Sequence, residues 1–238
     1  MKPAFNITPL NQNLTKMHPD ARVLVQSLPD CPQIQLALLD PTPMKHRPFT
    51  EEEIKTIQDY PAYWAFCWGS GQALAAQILD NPGLVAGKTV MDFGAGSGVV
   101  AIAACLAGAR EVIACDIDPE ALLACQINAH INQVSFRLHN DLFSFDEPLD
   151  LLIAADVLYD RNNLPLLEQF HSMATEVLVA DSRIKQFDFP PYRGFSSREC
   201  STVPDLDETR DFNNINFYCN RPIRTDCRVP ASQEPLPV

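Results

Sequence analysis

The sequence lacks an apolar run of the roughly 18 residues that a membrane-spanning helix needs, so we expect no integral membrane protein and no membrane partner. Only nine of the 238 residues are glycine, and the hydrophobic and charged fractions of 46% and 20% exclude collagen-like, coiled-coil and wholly disordered chains. The first 20 residues contain neither an apolar segment nor an arginine, which is unlike a secretory signal or a transit peptide. We therefore expect a cytoplasmic protein with one main domain.

Basic residues are also scarce, since 18 Lys+Arg face 30 Asp+Glu and give a formal net charge of −12. That charge repels phosphate backbones, so we expect no nucleic-acid partner, whereas basic protein surfaces would be attracted. The eight cysteines include no C-x-x-C pair, and the five histidines lack metal-ligand spacing. The composition therefore predicts reduced thiols and no bound metal. We also expect a monomer.

Proline usage divides the chain into three parts. Eight of the 20 prolines lie in residues 1–60, whereas only two lie between residues 83 and 164. We interpret residues 1–60 as a proline-rich extension that caps the substrate side, residues 61–220 as the main domain, and residues 221–238 as a disordered tail.

Within the main domain, short apolar segments that read as strands alternate with segments that read as helices. This alternation predicts a parallel sheet with helices on both faces. The predicted strands are residues 89–93, 111–115, 134–139, 149–155 and 176–180, followed by a final antiparallel pair at residues 199–203 and 214–219. The predicted helices are residues 98–107, 119–132 and 164–174, with residues 50–59 and 70–79 upstream. A further strand is predicted upstream at residues 33–39.

The stretch VMDFGAGSG at residues 90–98 runs from a buried strand through three glycines into a helix. Glycines here let backbone N–H groups approach a ligand closely, but the G-x-G-x-G spacing differs from the G-x-G-x-x-G of dinucleotide sites. Asp92, two residues before Gly94, would repel a pyrophosphate and favours the ammonium and sulfonium of S-adenosylmethionine. We therefore predict that Asp92, Gly94, Ala95 and Gly96 bind this cofactor.

Acids also close the next two predicted strands. Asp116 follows Gly94 by 22 positions (116 minus 94), which suits an acid that accepts both ribose hydroxyls, with Ile117 beside it as a further contact. Asp141 is predicted to accept from the adenine amino group, or alternatively to be a turn residue. Together these acids predict a class I methyltransferase: a seven-strand, Rossmann-like three-layer sandwich with a mostly parallel sheet and an antiparallel C-terminal strand.

The fourth predicted strand ends in Ala-Ala-Asp156-Val-Leu-Tyr159-Asp, the position that faces the transferable methyl in this fold. Asp156 could hold an ammonium while its proton is lost, and Tyr159 could orient the nitrogen lone pair. We also predict that Asp156 contacts the cofactor. The alternatives are a helix N-cap for Asp156 and a core aromatic for Tyr159. Upstream, residues 60–68 carry both tryptophans and suit either a lid that attracts cations or a hydrophobic staple.

Three segments are similar to the seven-strand protein-lysine methyltransferases that modify the electron transfer flavoprotein beta subunit. They are YWAFCWGSGQALAAQILDNP, the glycine loop with ACDIDPEALLACQINA, and AADVLYD. The resemblance covers about residues 60–160 and implies that Trp68 contacts the cofactor, together with the glycine loop and its acids. It also implies that Asp156 and Tyr159, which match an acid-x-x-aromatic signature, lie at the target lysine of a protein substrate.

The match has departures, since Gly69-Ser70 stands where the family has Pro-Gly and nothing after residue 185 matches. Ribosomal-protein lysine methyltransferases share the central I-D-P pattern, but they carry an asparagine where Asp156 stands. The chain is thus expected to be a protein-lysine N-methyltransferase. A methyltransferase of small amines and a catalytically silent S-adenosylmethionine-binding module stay open as alternatives, and a nicotinamide-linked dehydrogenase is a distant one.

Overall fold

A computed structural model of the protein describes residues 6–158, 161–184, 187–205 and 209–222. The predicted site residue Tyr159 and nearly all of the predicted C-terminal tail lie outside these described residues. Within them, no helix combines the length and the apolar character needed to cross a membrane.

The described residues form nine strands and six α-helices. The strands are β1 (Val23–Ser27), β2 (Gln35–Leu39), β3 (Thr89–Phe93), β4 (Glu111–Cys115), β5 (Arg137–His139), β6 (Leu149–Ala155), β7 (Ala174–Asp181), β8 (Arg193–Glu199) and β9 (Asn214–Cys219). The helices are α1 (Thr8–Leu14), α2 (Glu51–Asp59), α3 (Gly69–Asp80), α4 (Val99–Leu106), α5 (Pro119–Ile131) and α6 (Leu166–Met173).

Seven strands form one sheet in the order β5-β4-β3-β6-β7-β9-β8. The first five of these strands run parallel, and β9 is antiparallel to both of its neighbours, β7 and β8. This confirms the predicted class, a mostly parallel sheet with an antiparallel C-terminal strand. The chain order reverses between β3 and β6, and ligands of such sheets bind outside the carboxyl ends of the strands at that point.

Both faces of the sheet are buried, which explains why the central strands read as continuous apolar runs. Val90 of β3 packs into a cluster with Leu74 of α3 and Ile102 of α4 on one face. Its neighbour Met91 points the other way and packs with Phe170 of α6. The period-two alternation of a strand thus divides successive apolar residues between two helical layers.

The N-terminal segment packs against α5, where β1 and β2 form an antiparallel pair. The buried Asn128 of α5 accepts from the Ala37 backbone N–H at 2.8 Å and donates to the Ser97 carbonyl at 2.8 Å. A capping box begins α2, because Thr50 and Glu53 each accept from the other's backbone N–H. The segment is therefore joined to the main domain through α5.

Some predicted elements were wrong or missing. The predicted strand at residues 199–203 makes only an isolated bridge, between Val203 and Cys67, whereas the observed strand β8 precedes it. Strand β8 has no buried residue, so its sequence RGFSSRE shows no apolar alternation, and its pairing with β9 alone defines it. Helix α1 and strand β1 were not predicted, and β5 begins three residues later than expected, at Arg137.

Candidate active site

The loop between β3 and α4 takes a backbone conformation that only glycine adopts easily. Gly94, Gly96 and Gly98 have φ angles of +68°, +51° and +78°. A Cβ added to Gly94 would lie 2.7 Å from the Val157 Cγ1 atom, so no side chain fits there. The Gly94 N–H donates to the Cys115 carbonyl at 2.8 Å, which joins the loop to the end of β4.

A cleft of about 510 Å³ opens beside this loop, at the carboxyl ends of β3, β4, β6 and β7. The predicted site residues that the structure brings together in its wall are Trp68, Gly94, Gly96, Asp116, Ile117 and Asp156. The wall also contains Asp118, Arg183 and three further aromatic residues, Tyr63, Trp64 and Phe93. The cleft therefore combines three carboxylates with one guanidinium and several aromatic rings.

Asp116 follows β4, and each of its carboxylate oxygens accepts one backbone hydrogen bond. Oδ2 accepts from the Gly96 N–H at 2.9 Å, and Oδ1 accepts from the Asp118 N–H at 3.0 Å. Burial raises the pKa of Asp116, and these two hydrogen bonds oppose the rise. Its neighbour Ile117 is 83% exposed on the cleft wall, an apolar surface that a planar ring could cover.

Asp92 lies beneath the glycine loop, with only 2% of its surface exposed. Its Oδ2 accepts from the Ala101 N–H in the first turn of α4 at 2.9 Å, and burial raises its pKa to about 7. Ala95 is also buried and donates its N–H to the Cys115 carbonyl at 3.2 Å. Among the described residues, neither Asp92 nor Ala95 lines the cleft, so their predicted contact with a cofactor stays a prediction.

Asp156 follows β6 with a φ of +52°, a left-handed conformation that is uncommon outside glycine. Its Oδ1 accepts from the Ser70 hydroxyl at 2.6 Å, and its Oδ2 accepts from the Ser70 N–H at 3.0 Å. Burial raises the pKa of Asp156 to about 6, while the hydrogen bonds from Ser70 hold it lower than burial alone would. The carboxylate in the cleft wall therefore also binds the N-terminus of α3, where an anion is favoured.

Ser70 is a site residue that the sequence pattern did not reveal. It lies 86 positions before its partner Asp156, and no spacing rule connects residues so far apart. The available signal was the departure at Gly69-Ser70, where the resembling family has Pro-Gly. That departure places a hydroxyl where a glycine would offer none.

The aromatic residues before α3 form one side of the cleft. The Trp68 Nε1–H donates to the Tyr63 carbonyl at 3.0 Å, and the two rings meet edge to face with centroids 5.9 Å apart. Phe66 also packs against Trp68, with ring centroids 5.5 Å apart. Trp64 is fully buried, and its Nε1–H donates to Glu120 of α5 at 3.3 Å. Trp64 thus anchors the segment, while Trp68 and Tyr63 present partly exposed rings to the cleft.

Two further predicted site residues do not appear among the described residues of the cleft wall. Asp141 follows β5, and its Oδ1 accepts from the Phe143 N–H at 3.0 Å, where it caps a short 3-10 turn. It is not among the described residues of the cleft wall, so its predicted contact with adenine stays a prediction. Tyr159 falls outside the described residues, and its predicted role at the target amine also stays a prediction.

Arg183, which follows β7, also reaches the cleft, although the sequence pattern did not indicate it. Asp181 ends β7 and is 1% exposed, and its Oδ1 accepts from the backbone N–H groups of Arg183 and Ile184 at 2.8 and 2.7 Å. The Arg183 guanidinium lies over the Phe212 ring, with Cζ 4.5 Å from the centroid. The predicted strand stopped at residue 180, so the acid at its end was not recognised.

The chain is similar to known methyltransferases. Residues 67–176 match the family model described as ribosomal protein L11 methyltransferase (PrmA). The chain is 37% identical over 164 residues to the electron transfer flavoprotein beta subunit lysine methyltransferase of Homo sapiens, covering 66% of this chain and 61% of that protein. It is 35% identical over 171 residues to the Xenopus laevis protein of the same name, covering 68% of each.

The chain therefore spans less than two thirds of the human relative, at 61% of its length. A solved structure of ribosomal protein L11 methylase from Lactobacillus delbrueckii subsp. bulgaricus is 25% identical, with a TM-score of 0.49. That match covers 63% of this chain and 77% of the other.

Proposed function

This chain belongs to the electron transfer flavoprotein beta subunit lysine methyltransferase family, and we propose that it methylates a lysine side chain of a protein with S-adenosylmethionine. One observation carries the proposal: the cleft has Asp116 at one end and, two strands away, a rigidly held Asp156. An acid at the position of Asp116 suits a ribose, and an acid at the position of Asp156 suits a cationic acceptor. The cleft thus offers separate places for cofactor and lysine.

The residues present fit S-adenosylmethionine. The glycine loop lets backbone approach the ligand, Asp116 offers carboxylate oxygens to the ribose, and Ile117 offers an apolar surface to the adenine. The three acids of the wall favour a ligand that carries an ammonium and a sulfonium. When bound, S-adenosylmethionine supplies a methyl group on sulfur as the electrophile.

Asp156 would receive the lysine that attacks this methyl group. A lysine arrives protonated, with a reference pKa near 10.4, and must lose its proton before its nitrogen can attack. The Asp156 carboxylate, oriented by Ser70, can hold the ammonium by charge-assisted hydrogen bonds until the proton leaves to water. Tyr63 and Trp68, which line the cleft, attract the cation with their ring faces, and alignment of the amine with the methyl group lowers the barrier to transfer.

The remaining expectations belong to the same proposal. The chain would act as a monomer on a basic region of a protein, with no nucleic acid, since its formal charge is −12. It would work in the cytoplasm, where the seven described cysteines, all free thiols, would stay reduced. Residues 61–220 would form the methyltransferase domain, with residues 1–60 as an extension beside the cleft.

A labelling experiment tests the proposal directly. The purified protein is incubated with methyl-labelled S-adenosylmethionine and a cell lysate, the products are separated by size, and the label is identified after hydrolysis. We expect a labelled protein band that yields methyl-lysine and is absent with Asp156→Asn. Label confined to small molecules would replace the proposal with an amine methyltransferase. Proven cofactor binding without any label would favour a silent binding module.

A further inference from the structure

Helix α2 lies on the surface, and none of its nine residues is buried. The Ile54 side chain is 45% exposed, and Ile57, three positions further on the same helical face, is only partly covered. Isolated helices of this length are marginal in water, and most helices in proteins are stabilised by packing an apolar face. Because the described residues bury no side chain of α2, its apolar face is available to a partner.

Contacts at the start of α2 hold it in place. Glu53 accepts from the Arg47 guanidinium at 2.9 Å and completes the capping box with Thr50. Just before the helix, the Phe49 ring meets the His18 ring edge to face, with centroids 5.0 Å apart. The helix is therefore anchored through its first turn, and its exposed apolar side chains take no part in that anchoring.

The other end of α2 leads directly into the cleft wall. Tyr60 follows the helix and is 75% exposed, and Tyr63, three residues later, lines the cleft and is 47% exposed. Three residues span at most about 11 Å, and the nine residues of α2 form a helix about 14 Å long. All of α2 therefore lies within about 25 Å of the cleft wall.

The helix is acidic as well as apolar, with four acidic residues and one lysine. Glu51 and Glu52 are exposed in its first turn, and neither forms an ion pair with a described residue. We define the α2 surface as Glu51, Glu52, Ile54 and Tyr60. It combines two carboxylates with an aliphatic and an aromatic side chain.

We propose that the α2 surface docks the protein substrate, at a region of that protein which presents arginine or lysine together with an apolar side chain near the target lysine. This inference rests on the proposed function. Carboxylates at an interface attract and orient a basic partner, and tyrosine is among the residues that contribute most to binding energy. The continuity of the α2 surface with the cleft wall places the docked region within about 25 Å of the target lysine. The α2 surface then selects the substrate protein, whereas the cleft carries out the transfer.

Two substrates of different size test this inference. The protein that becomes labelled in the lysate experiment is purified, and a peptide is made from its modified lysine with three residues on either side. Three residues reach at most about 11 Å, so the peptide extends little beyond the cleft. The double variant Glu52→Gln/Ile54→Ser should raise KM for the whole protein about fivefold or more, with kcat unchanged. It should leave kcat/KM for the peptide unchanged. The dissociation constant of the whole protein, measured by calorimetry without turnover, should rise by the same factor as KM.

Matched controls change the same kinds of side chain elsewhere. Leu106 is 44% exposed at the end of α4, and Leu106→Ser should leave KM for the whole protein unchanged. Asp146→Asn removes an exposed carboxylate at the end of the sheet opposite the cleft, where the adjacent Glu147 pairs with Arg137 at the start of β5. Urea denaturation checks that each variant is folded. Added salt should lower kcat/KM for the whole protein less in Glu52→Gln than in the wild-type protein.

The outcomes distinguish this inference from the proposed function. Equal KM and equal dissociation constants of the double variant and the wild-type protein would overturn the inference alone. An equal loss of activity on the peptide would also overturn it, because the variant would then have changed the cleft itself. A changed oligomeric state of the variant in analytical ultracentrifugation would assign the α2 surface to a second copy of this chain instead. Failure of the wild-type protein to methylate any protein would overturn the proposed function, and this inference with it.

Discussion

The Asp156 carboxylate receives two hydrogen bonds from a single residue, Ser70, one from its hydroxyl at 2.6 Å and one from its backbone N–H at 3.0 Å. Each carboxylate oxygen has two lone pairs, so one pair on each oxygen is left for a third donor. Ser70 thus fixes the plane of the Asp156 carboxylate. The carboxylate can still accept further hydrogen bonds. A lysine ammonium in the cleft would complete that set.

We expect Asp156→Asn to lower methyl transfer by about 100-fold or more, because the amide cannot hold an ammonium by charge. The dissociation constant for S-adenosylmethionine should change little, because the proposed role of Asp156 is at the acceptor amine. Unfolding free energy should fall by about 1 kcal/mol, since the amide NH₂ cannot accept one of the two hydrogen bonds from Ser70. Single-turnover assays, calorimetry and urea denaturation measure the three effects. Retained methyl transfer would remove Asp156 from the proposed mechanism.

The pH dependence of kcat/KM should report the ionisation of Asp156. Burial raises the pKa of Asp156 to about 6, so the carboxylate is protonated and inactive below that pH, and activity should fall as pH decreases through about 6. Ser70→Ala removes a hydrogen bond that favours the charged form, so the acidic limb should move to higher pH. Ser172→Ala, which removes a hydroxyl from α6, is the matched control and should leave the limb in place. If the acidic limb of the pH profile is the same in Ser70→Ala as in the wild-type protein, it does not report the ionisation of Asp156.

Gly94→Ala should abolish cofactor binding and destabilise the fold by about 1–3 kcal/mol. Its φ is +68°, and the added Cβ would lie 2.7 Å from Val157, so the loop must shift. Gly87→Ala is a close control, because Gly87 has a φ of +72° but no atom within 4 Å of its added Cβ. Both variants place an alanine at a positive φ angle and should lose stability for that reason. Only Gly94→Ala should lose cofactor binding in a calorimetric titration. Equal binding by the two variants would mean that the loop does not form the cofactor site.

Asp92→Asn should change how stability depends on pH. Burial raises the pKa of Asp92 to about 7 from the ordinary value of 3.8, so the native state binds this proton more tightly than the unfolded state. The contribution of Asp92 to stability is therefore lost as pH rises between about 4 and 7. The amide of the variant does not titrate, so the stability of the variant relative to the wild-type protein should grow by roughly 2–4 kcal/mol across that range. Urea denaturation of both proteins from pH 4 to 8 measures the difference, and a constant difference would contradict the burial argument.

The sequence predicted the central sheet closely because its signals are local. Strands β3, β4 and β6 have the predicted bounds, since both faces of each are buried and the apolar runs end at glycines or acids. Strand β8 was missed because nothing in its sequence is buried and only its partner β9 defines it. Local patterns cannot reveal an edge strand that is held by backbone pairing.

The residues of the cleft also divide into those with a local sequence signal and those defined by contacts in the folded chain. Asp116 and Asp156 were predicted because each follows a strand whose carboxyl end had to face the cleft. Ser70 and Arg183 were not, because their importance depends on partners that only the folded chain brings together. Asp92 was recognised as unusual, but its charge lies beneath the loop, where it accepts from the Ala101 N–H.

Asn128 makes the glycine loop and the N-terminal segment part of one cooperative unit. Its side chain joins the Ala37 N–H of β2 to the Ser97 carbonyl of the loop, both at 2.8 Å. Removing residues 1–60 would take away that donor and expose the apolar side chains of α5 that the N-terminal segment covers, among them Ala124 and Ile131. The change in proline content near residue 60 is thus a change in composition only. We expect residues on both sides of it to unfold together.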